Sequence, residues 1–200
     1  MNNSELLVAD VEEFLATHSV WDTLGGCREL ATATFLRGSI ISSYGFIETQ
    51  VNQIIVAASR ISEDWNARRP LPKTLHERLS FFDLAFDSSS LLQALSPEAS
   101  EISRFLRENQ QSRNDWAHGR LVVLPSDRTQ RWTAAWITLE NWTPKSYTED
   151  DQKVEQFSMS KKRITSRQLI DLALEVRRWA GRSHRFHTEV FEILPQSHEN

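Results

Sequence analysis

The sequence predicts a mainly α-helical protein with a small antiparallel β segment before its last helix. Apolar residues recur at spacings of three and four over a long stretch of the first third of the chain, which is the period of an amphipathic helix. After Gly119 the apolar residues fall instead in short runs separated by polar turns, a pattern typical of strands. A helical pattern returns at Thr165. With 200 residues, 40% of them hydrophobic, the chain is long enough for one domain with its own core.

A glycine pair separates the first two predicted helices. Ser4 to roughly His18 predicts a short amphipathic helix with Ser4 as its N-cap, and Gly25–Gly26 interrupts the pattern. A long helix follows from about Arg28 to Ser62, and its apolar stripe requires partner helices to cover it. The stripe consists of Ile40, Tyr44, Ile47, Val51, Ile54, Ile55 and Ala58.

Two shorter helices come next. The stretch from Arg69 to Pro72 closes the long helix, and Thr74 is placed to cap a helix from Leu75 to Ala85. A short helix is predicted around Ser90 to Leu95.

The fifth helix has the clearest start signal. Ser96–Glu98 combines a serine N-cap, a proline at the first helical position and an acid in the first turn. The helix is expected to run to about His118, with Gly119 as its stop. Its inward-facing residues are Ile102, Phe105 and Leu106.

Three strands are predicted in the β segment. They span Leu121–Leu124, Thr133–Leu139 and Val154–Met159, with turns at Pro125–Asp127 and over the polar stretch Thr143–Asp151. Three tryptophans in this segment are expected to pack the sheet against the helices rather than to stack on bases: Trp132, Trp136 and Trp142.

Thr165 begins the final predicted helix, which is periodic through about Gly181. Its inner face carries Leu169, Leu172, Val176 and Trp179. We therefore predict a single domain over 1–200. It divides into a helical bundle core at 28–120, a β-rich insertion at 121–160 and a C-terminal helix at 165–187.

Charge is unevenly distributed along the chain. The net charge of −4 argues against a surface that coats nucleic acid broadly. Ser160 to His187 nevertheless holds eight Lys or Arg against two acids, a local charge of +6 that leaves −10 for the remainder. The tract could contact RNA through Lys161, Lys162, Arg163 and Arg167, or it could form the solvated face of a helix.

Cysteine use and hydropathy indicate the compartment. A lone cysteine, Cys27, cannot form an internal disulfide and fits a reducing environment. We find no apolar stretch long enough to span a membrane and no signal sequence. A cytoplasmic protein without membrane contact is expected.

The heptapeptide Arg113–Gly119 is the strongest candidate site. On a helix, Asn114 and Asp115 lie four and three residues before His118 and neighbour its imidazole. Arg113 lies about 140° round the helix from His118, yet its long side chain can reach a shared anion. A histidine can exchange a proton near neutral pH, and an arginine can bind a phosphate and stabilise its developing charge. These groups suit attack of an RNA 2′-hydroxyl on the adjacent phosphate without a metal.

The same residues can also be explained without a catalytic function, as groups that stabilise or solvate the end of a helix. A histidine in a last helical turn favours the helix dipole, and a following glycine is an ordinary helix stop. The bare Arg-x4-His spacing occurs a second time, from Arg182 to His187. Asn114 and Asp115 could simply solvate an exposed helix face.

Other constellations are weaker. His184 and His187 with Glu189 nearby could hold a metal, but the expected polar tail supplies no convincing third ligand. We therefore predict no metal and no cofactor. Glu48 could pair with Arg113 across the bundle, although a carboxylate at its position is more often solvated.

The heptapeptide resembles the Arg-x4–6-His motif of the HEPN superfamily, small helical bundles in which a polar residue follows the Arg. Arg113, Asn114 and His118 match it, and the likeness extends over roughly residues 28–120. Within that range, 35–40 and 46–52 are similar to the first long helix of the mannitol operon repressor family. That family has a comparable Arg-Asn-x-x-Ala-His ending. The β segment after Gly119 is not part of the minimal bundle.

The resemblance implies a helical bundle that often forms homodimers, and in active members a metal-independent ribonuclease. By this likeness His118 would be the general acid or base, Arg113 the anion clamp and Asn114 an orienting group, with Asp115 tuning the imidazole. Such a protein could be a toxin or an antiviral effector. The mannitol repressor likeness implies instead a non-catalytic dimeric regulator that binds a protein partner.

Overall fold

The computed structural model describes residues 28–61, 72–124, 136–149 and 152–194. The predicted helix from Ser4 to His18 and the lone Cys27 lie outside these residues. In chain order the elements are α1 (Arg28–Ile61), α2 (Leu75–Ser88), a 3-10 helix (Gln93–Leu95), α3 (Ser96–His118), β1 (Arg120–Leu124), β2 (Trp136–Glu149), β3 (Gln152–Thr165) and α4 (Ser166–Ile193). The mainly helical class with a small antiparallel sheet is confirmed.

The chain divides into two compact units. The first comprises Met1–Ile41 and Ser112–Glu175, and the second comprises Ser42–Gln111 and Val176–Asn200. The single domain expected over 1–200 stays a prediction.

The first unit contains the start of α1, the end of α3, the sheet and the first part of α4. Its core forms where apolar side chains of these elements are removed from water. Its buried members include Ala33, Leu36, Ile40, Trp116, Ile137, Leu139, Leu169, Ile170 and Ala173.

The second unit contains the remainder of α1, α2, the 3-10 helix, most of α3 and the end of α4. The apolar stripe predicted for α1 is buried here from Tyr44 to Ala58, and the inward positions predicted for α3 are buried as well. Phe82 and Phe86 of α2 contact Phe186 of α4, with ring centroids 6.2 and 5.3 Å away.

Capping residues set the starts of α2 and α4. Thr74 accepts from the backbone N–H of Glu77 at 3.2 Å, and the Glu77 carboxylate accepts from the backbone N–H of Thr74 at 3.1 Å. Thr165 and Gln168 make the same reciprocal pair, at 3.2 and 2.8 Å. Each pair satisfies two donors that a helix start leaves without partners, which confirms both predicted boundaries.

The sheet has the order β1-β2-β3, and both neighbouring pairs are antiparallel. Its register pairs Arg120 with Glu140 and Glu140 with Lys161. The predicted turn over Thr143–Asp151 is wrong for 143–149, because these residues continue β2 and pair with 152–158 of β3. A polar composition suggested a loop, whereas a long two-stranded ladder satisfies its backbone groups internally.

Further differences concern tryptophans and the carboxyl end. Trp132 lies outside the described residues, and the expected packing of Trp136 and Trp142 stays a prediction. The final helix extends to Ile193 rather than ending near Gly181. The stretch with His184 and His187 is therefore helical and not a polar tail. Buried Phe186 and Val190 show why: the apolar stripe continues at helical spacing past the glycine.

Candidate functional site

The motif occupies the last turns of α3, within the first unit. Trp116 is completely buried and anchors this turn, whereas His118 is exposed. Since each helical residue advances about 100°, Asn114 and His118 both lie on the side opposite Trp116. The helix therefore presents the carboxamide and the imidazole on one outward face.

Arg37 of α1 holds the end of the motif helix. Its Nε donates to the carbonyl oxygen of Trp116 at 2.7 Å, and its Nη2 donates to that of Ala117 at 3.0 Å. The last carbonyls of a helix have no partner within the helix, and a cation there also interacts favourably with the dipole. Arg37 thus fixes the backbone turn that carries His118. The sequence did not predict this role of Arg37, because its position next to the apolar stripe of α1 carries no information on a contact with α3.

Gly119, the residue after His118, allows β2 to pack closely against the end of α3. Its N–H donates to the Asp115 carbonyl at 2.8 Å, which closes the helix. A Cβ at Gly119 would lie 2.6 Å from that same oxygen and 2.7 Å from both Asn141 Oδ1 and Leu139 Cδ1 of β2. The predicted glycine stop is confirmed. Glycine is required here because a side chain at position 119 would have no room between the end of α3 and the sheet.

Arg113 is half-buried and its guanidinium is turned toward Asn114. Nη1 of Arg113 donates to Asn114 Oδ1 at 2.9 Å. Because Asn114 shares the helix face of His118, this bond links the guanidinium to a residue of that face. Asp115 is half-buried and adjoins the same face. The predicted pairing of Arg113 with Glu48 involves residues of different units and stays a prediction.

The outer face of the sheet carries the basic residues nearest in sequence to the motif. Arg120 follows His118 by two residues, so their Cα atoms lie at most about 7 Å apart. Arg120, Glu140 and Lys161 form a cross-strand row, in which Lys161 Nζ lies 3.1 Å from Glu140 Oε1. Since side chains alternate between faces, Arg163 shares this face with Lys161.

The other candidate RNA-binding residues lie elsewhere. Lys162 is on the opposite face of β3 and pairs in register with buried Leu139. Arg167 lies in the first turn of α4 and forms an exposed ion pair with Asp171 at 3.2 Å. Only Lys161 and Arg163 of the predicted set therefore share a face with Arg120.

Comparison with protein families, with curated proteins and with solved structures gives no match for this chain. The site is therefore defined by its own geometry.

The second Arg-x4-His pair has a different environment. In the second unit, Arg182 binds the carboxylates of Glu98 and Glu101 and stacks on Trp179 at 4.8 Å. Hydrogen bonding to Glu98 raises the pKa of Arg182. These contacts engage the guanidinium of Arg182 with two carboxylates and an aromatic ring.

His184 and His187 do not form a metal site with their neighbours. His184 Nδ1 and Gln50 Nε2 lie 3.1 Å apart, and the His187 ring stacks on Phe191 at 4.4 Å. Among the described residues, no three His, Cys, Asp or Glu side chains come together to bind a metal. In the same part of the chain, no helix has both the length and the apolar composition needed to cross a bilayer.

Proposed function

We propose that this protein is a HEPN-like helical domain that cleaves RNA without a metal ion. The observation that carries the proposal is the exposed imidazole of His118, on the same helix face as Asn114, at a helix end held by Arg37. A catalytic group must be accessible to substrate yet positioned by rigid contacts. The motif helix combines both properties.

The chemistry follows from the residue types. His118 accepts the proton of an RNA 2′-hydroxyl, whose oxygen attacks the adjacent phosphorus while the bond to the 5′-oxygen breaks. The leaving oxygen takes a proton from water or from His118 of a second copy. Arg113 stabilises the negative charge that grows on the phosphate, and Asn114 orients the guanidinium. The products are a 2′,3′-cyclic phosphate and a 5′-hydroxyl.

The sheet supports the same function. Arg120, Lys161 and Arg163 give the outer face three cations around the carboxylate of Glu140. Such a surface attracts a phosphate backbone without reading its sequence. Because β1 begins two residues after His118, RNA bound along this face would pass close to the imidazole.

The decisive experiment is RNA cleavage in EDTA, with the end groups of the products identified. His118→Ala should lower the rate by about 10²- to 10⁴-fold, the usual contribution of a general acid or base. Arg113→Ala should lower it by about 10²- to 10³-fold, as for loss of one charge-stabilising donor. Matched controls are His76→Ala and Arg104→Ala, since both residues are exposed and Arg104 lies on the same helix as Arg113. Cleavage that survives in both motif variants would falsify the nuclease proposal.

A second candidate is a dimeric regulator without catalysis. Leu30 and Phe35 of α1 are large apolar side chains with 41% and 37% of their surface exposed, and exposed apolar groups favour protein contacts. Replacing both with Ser should then convert a dimer to monomers in light scattering. A wild-type chain that is monomeric and captures no partner argues against this candidate.

A further inference from the structure

An open groove in the second unit has no part in the proposed RNA chemistry. It has a volume of about 480 Å³ and lies between one face of α1 and one face of α4, a size within the usual range for small-molecule sites. The lining residues recur at helical spacing on each helix: Thr49, Asn52, Gln53, Val56 and Ala57 on α1, with His187 and Phe191 on α4.

His187 is the unusual member of this lining. Its Nε2 atom is buried and has no hydrogen-bond partner among the described residues. A buried polar atom without a partner costs free energy that a bound ligand can recover. The ring itself is held by stacking on Phe191, with centroids 4.4 Å apart.

The opposite wall supplies further polar groups in fixed orientation. Arg78 Nη1 donates to Asn52 Oδ1 at 3.0 Å, which leaves the two amide hydrogens of Asn52 to donate elsewhere. The Thr49 hydroxyl donates to the Gly45 carbonyl at 2.8 Å, so its oxygen can still accept. Both polar groups therefore have defined directions before any ligand arrives.

Among the described residues that line the groove, none has a carboxylate, ammonium or guanidinium group, and the Arg78 guanidinium next to the groove is bonded to Asn52. Burial lowers the pKa of His187, and the nearby charge of His184 acts in the same direction, so both effects favour the neutral imidazole. An uncharged site with apolar walls disfavours an ionic ligand, because a charged group would lose hydration without gaining a partner. Val56 and Phe191 provide flat or apolar surface for a ring.

We propose that this groove binds an uncharged, planar heteroaromatic molecule whose ring nitrogen hydrogen-bonds to Nε2 of His187. The aromatic faces of the ligand pack against Val56 and Phe191, and its polar edge meets the imidazole. The site is independent of Arg113 and His118, so it stands or falls separately from the ribonuclease proposal.

The test compares two flat ligands of matched shape, benzimidazole and indene, at pH 7.5 by saturation-transfer NMR. Benzimidazole carries a donor and an acceptor nitrogen on one edge, so it can pair with either tautomer of His187, whereas indene carries neither. We expect benzimidazole to bind about tenfold more tightly, the typical worth of one hydrogen bond to a buried group.

Variants assign the preference to the site. In His187→Phe the ring is retained and Nε2 is lost, so both ligands should bind equally. In Val56→Trp and Ala57→Phe the groove is filled, so neither ligand should bind. His184→Phe is the matched control, since it lies one turn away on α4 outside the lining, and the preference for benzimidazole should persist.

Three outcomes overturn the proposal. The first is no saturable binding of benzimidazole to the wild-type protein. The second is a preference for benzimidazole that is unchanged in His187→Phe or in the two filled variants, with folding checked by circular dichroism. The third is a change of oligomeric state in Val56→Trp by light scattering, which would assign the groove to a second copy of the chain.

Discussion

Arg37 Nε donates to the carbonyl oxygen of Trp116 at 2.7 Å, and this bond joins α1 to the last turn of the motif helix. A second bond, from Nη2 to the Ala117 carbonyl at 3.0 Å, completes a two-pronged contact. The guanidinium thus satisfies carbonyls that the helix cannot satisfy itself. The position of the His118 backbone depends on an arginine 81 residues earlier in the sequence.

Replacing Arg37 should therefore loosen the end of α3. Arg37→Met keeps most of the aliphatic stem and removes both donors, so we expect a loss of about 1–2 kcal/mol in the free energy of unfolding. Urea denaturation measures this change. Arg177→Met, at an exposed position on α4, should stay within about 0.5 kcal/mol of wild type. Equal stability of the two variants would contradict the capping role.

Alanine substitution at two glycines should have opposite effects. Gly119→Ala places a methyl group 2.6 Å from the backbone oxygen of Asp115, and backbone cannot move aside as a side chain can. We expect a loss of about 1–3 kcal/mol, as for overpacking. Gly38→Ala meets nothing within 4 Å in the helix α1 and should gain up to about 1 kcal/mol from helix propensity. Thermal unfolding of both variants checks the signs, and a Gly119→Ala variant as stable as wild type would contradict the expected clash with the Asp115 backbone.

The difference between these glycines shows what sequence could and could not predict. Local signals placed both ends of α3 correctly, because Pro97 and Gly119 act within a few residues of themselves. The predicted N-cap role of Ser96 is wrong, since Ser96 has helical φ and ψ of −54° and −40° and its hydroxyl donates to Asp87 at 2.9 Å. The burial of Trp116 and the contact of Gly119 with Asn141 depend on pairing between distant segments. Periodicity carries no information on such contacts. Arg37 was missed for the same reason.

Polar composition misled the prediction in two places. Residues 143–149 are polar yet form part of β2, because antiparallel pairing with β3 satisfies their backbone groups. Residues after Gly181 are polar on one face yet helical, because Phe186 and Val190 continue the buried stripe. The overall composition of each stretch counts the residues of both faces together. The end of α4, however, is held by the apolar residues of one face alone, and the end of β2 by its backbone pairing.

Arg182 provides a test of which Arg-x4-His pair matters. Arg182→Met removes the ion pairs with Glu98 and Glu101 and the contact with Trp179. Because these groups are partly exposed, we expect a modest loss of about 1–2 kcal/mol in stability. RNA cleavage below the unfolding temperature should be unchanged. A variant as inactive as Arg113→Ala would show that the motif assignment is wrong.

His187 should make stability sensitive to mild acid. Burial lowers its pKa from the usual 6.5, with a smaller effect from the charge of His184. Well above pH 6.5 His187 is neutral in both the folded and the unfolded state and does not affect stability. As pH falls below that value the unfolded chain takes up the proton first, so the free energy of unfolding decreases until the lowered folded pKa is passed. Among the described residues, Thr49, Asn52 and Gln53 face His187 across the groove and carry no charge. Arg78, which donates to Asn52, is a cation and favours the neutral imidazole, so it does not reverse the sign.

His187→Gln should therefore lose less stability than wild type between pH 7.5 and 5. Thermal unfolding at both pH values gives the comparison, and the other titrating groups cancel in the difference between the two proteins. His76→Gln, at an exposed position on α2, should behave as wild type does. A steeper pH dependence in His187→Gln would contradict the burial effect.

Glu140 and Lys161 should change RNA affinity in opposite directions. Their ion pair of 3.1 Å lies on the outer face of the sheet, beside Arg120 and Arg163. Lys161→Ala removes a cation and should weaken binding several-fold, with the salt dependence reduced by about one unit of slope. Glu140→Gln removes the only carboxylate of the row and releases Lys161, so binding should tighten.

Lys162→Ala is the matched control, because Lys162 is the next residue on β3 and lies on the opposite face. RNA affinity is measured by filter binding at two salt concentrations for Lys161→Ala, Glu140→Gln and Lys162→Ala. All three are made in the His118→Ala background so that the RNA is not cleaved. The face-specific model requires Lys162→Ala to resemble wild type while Lys161→Ala does not. Equal losses from both lysines would instead mean that RNA responds only to the net charge of the tract, and the outer face would have no special part in binding.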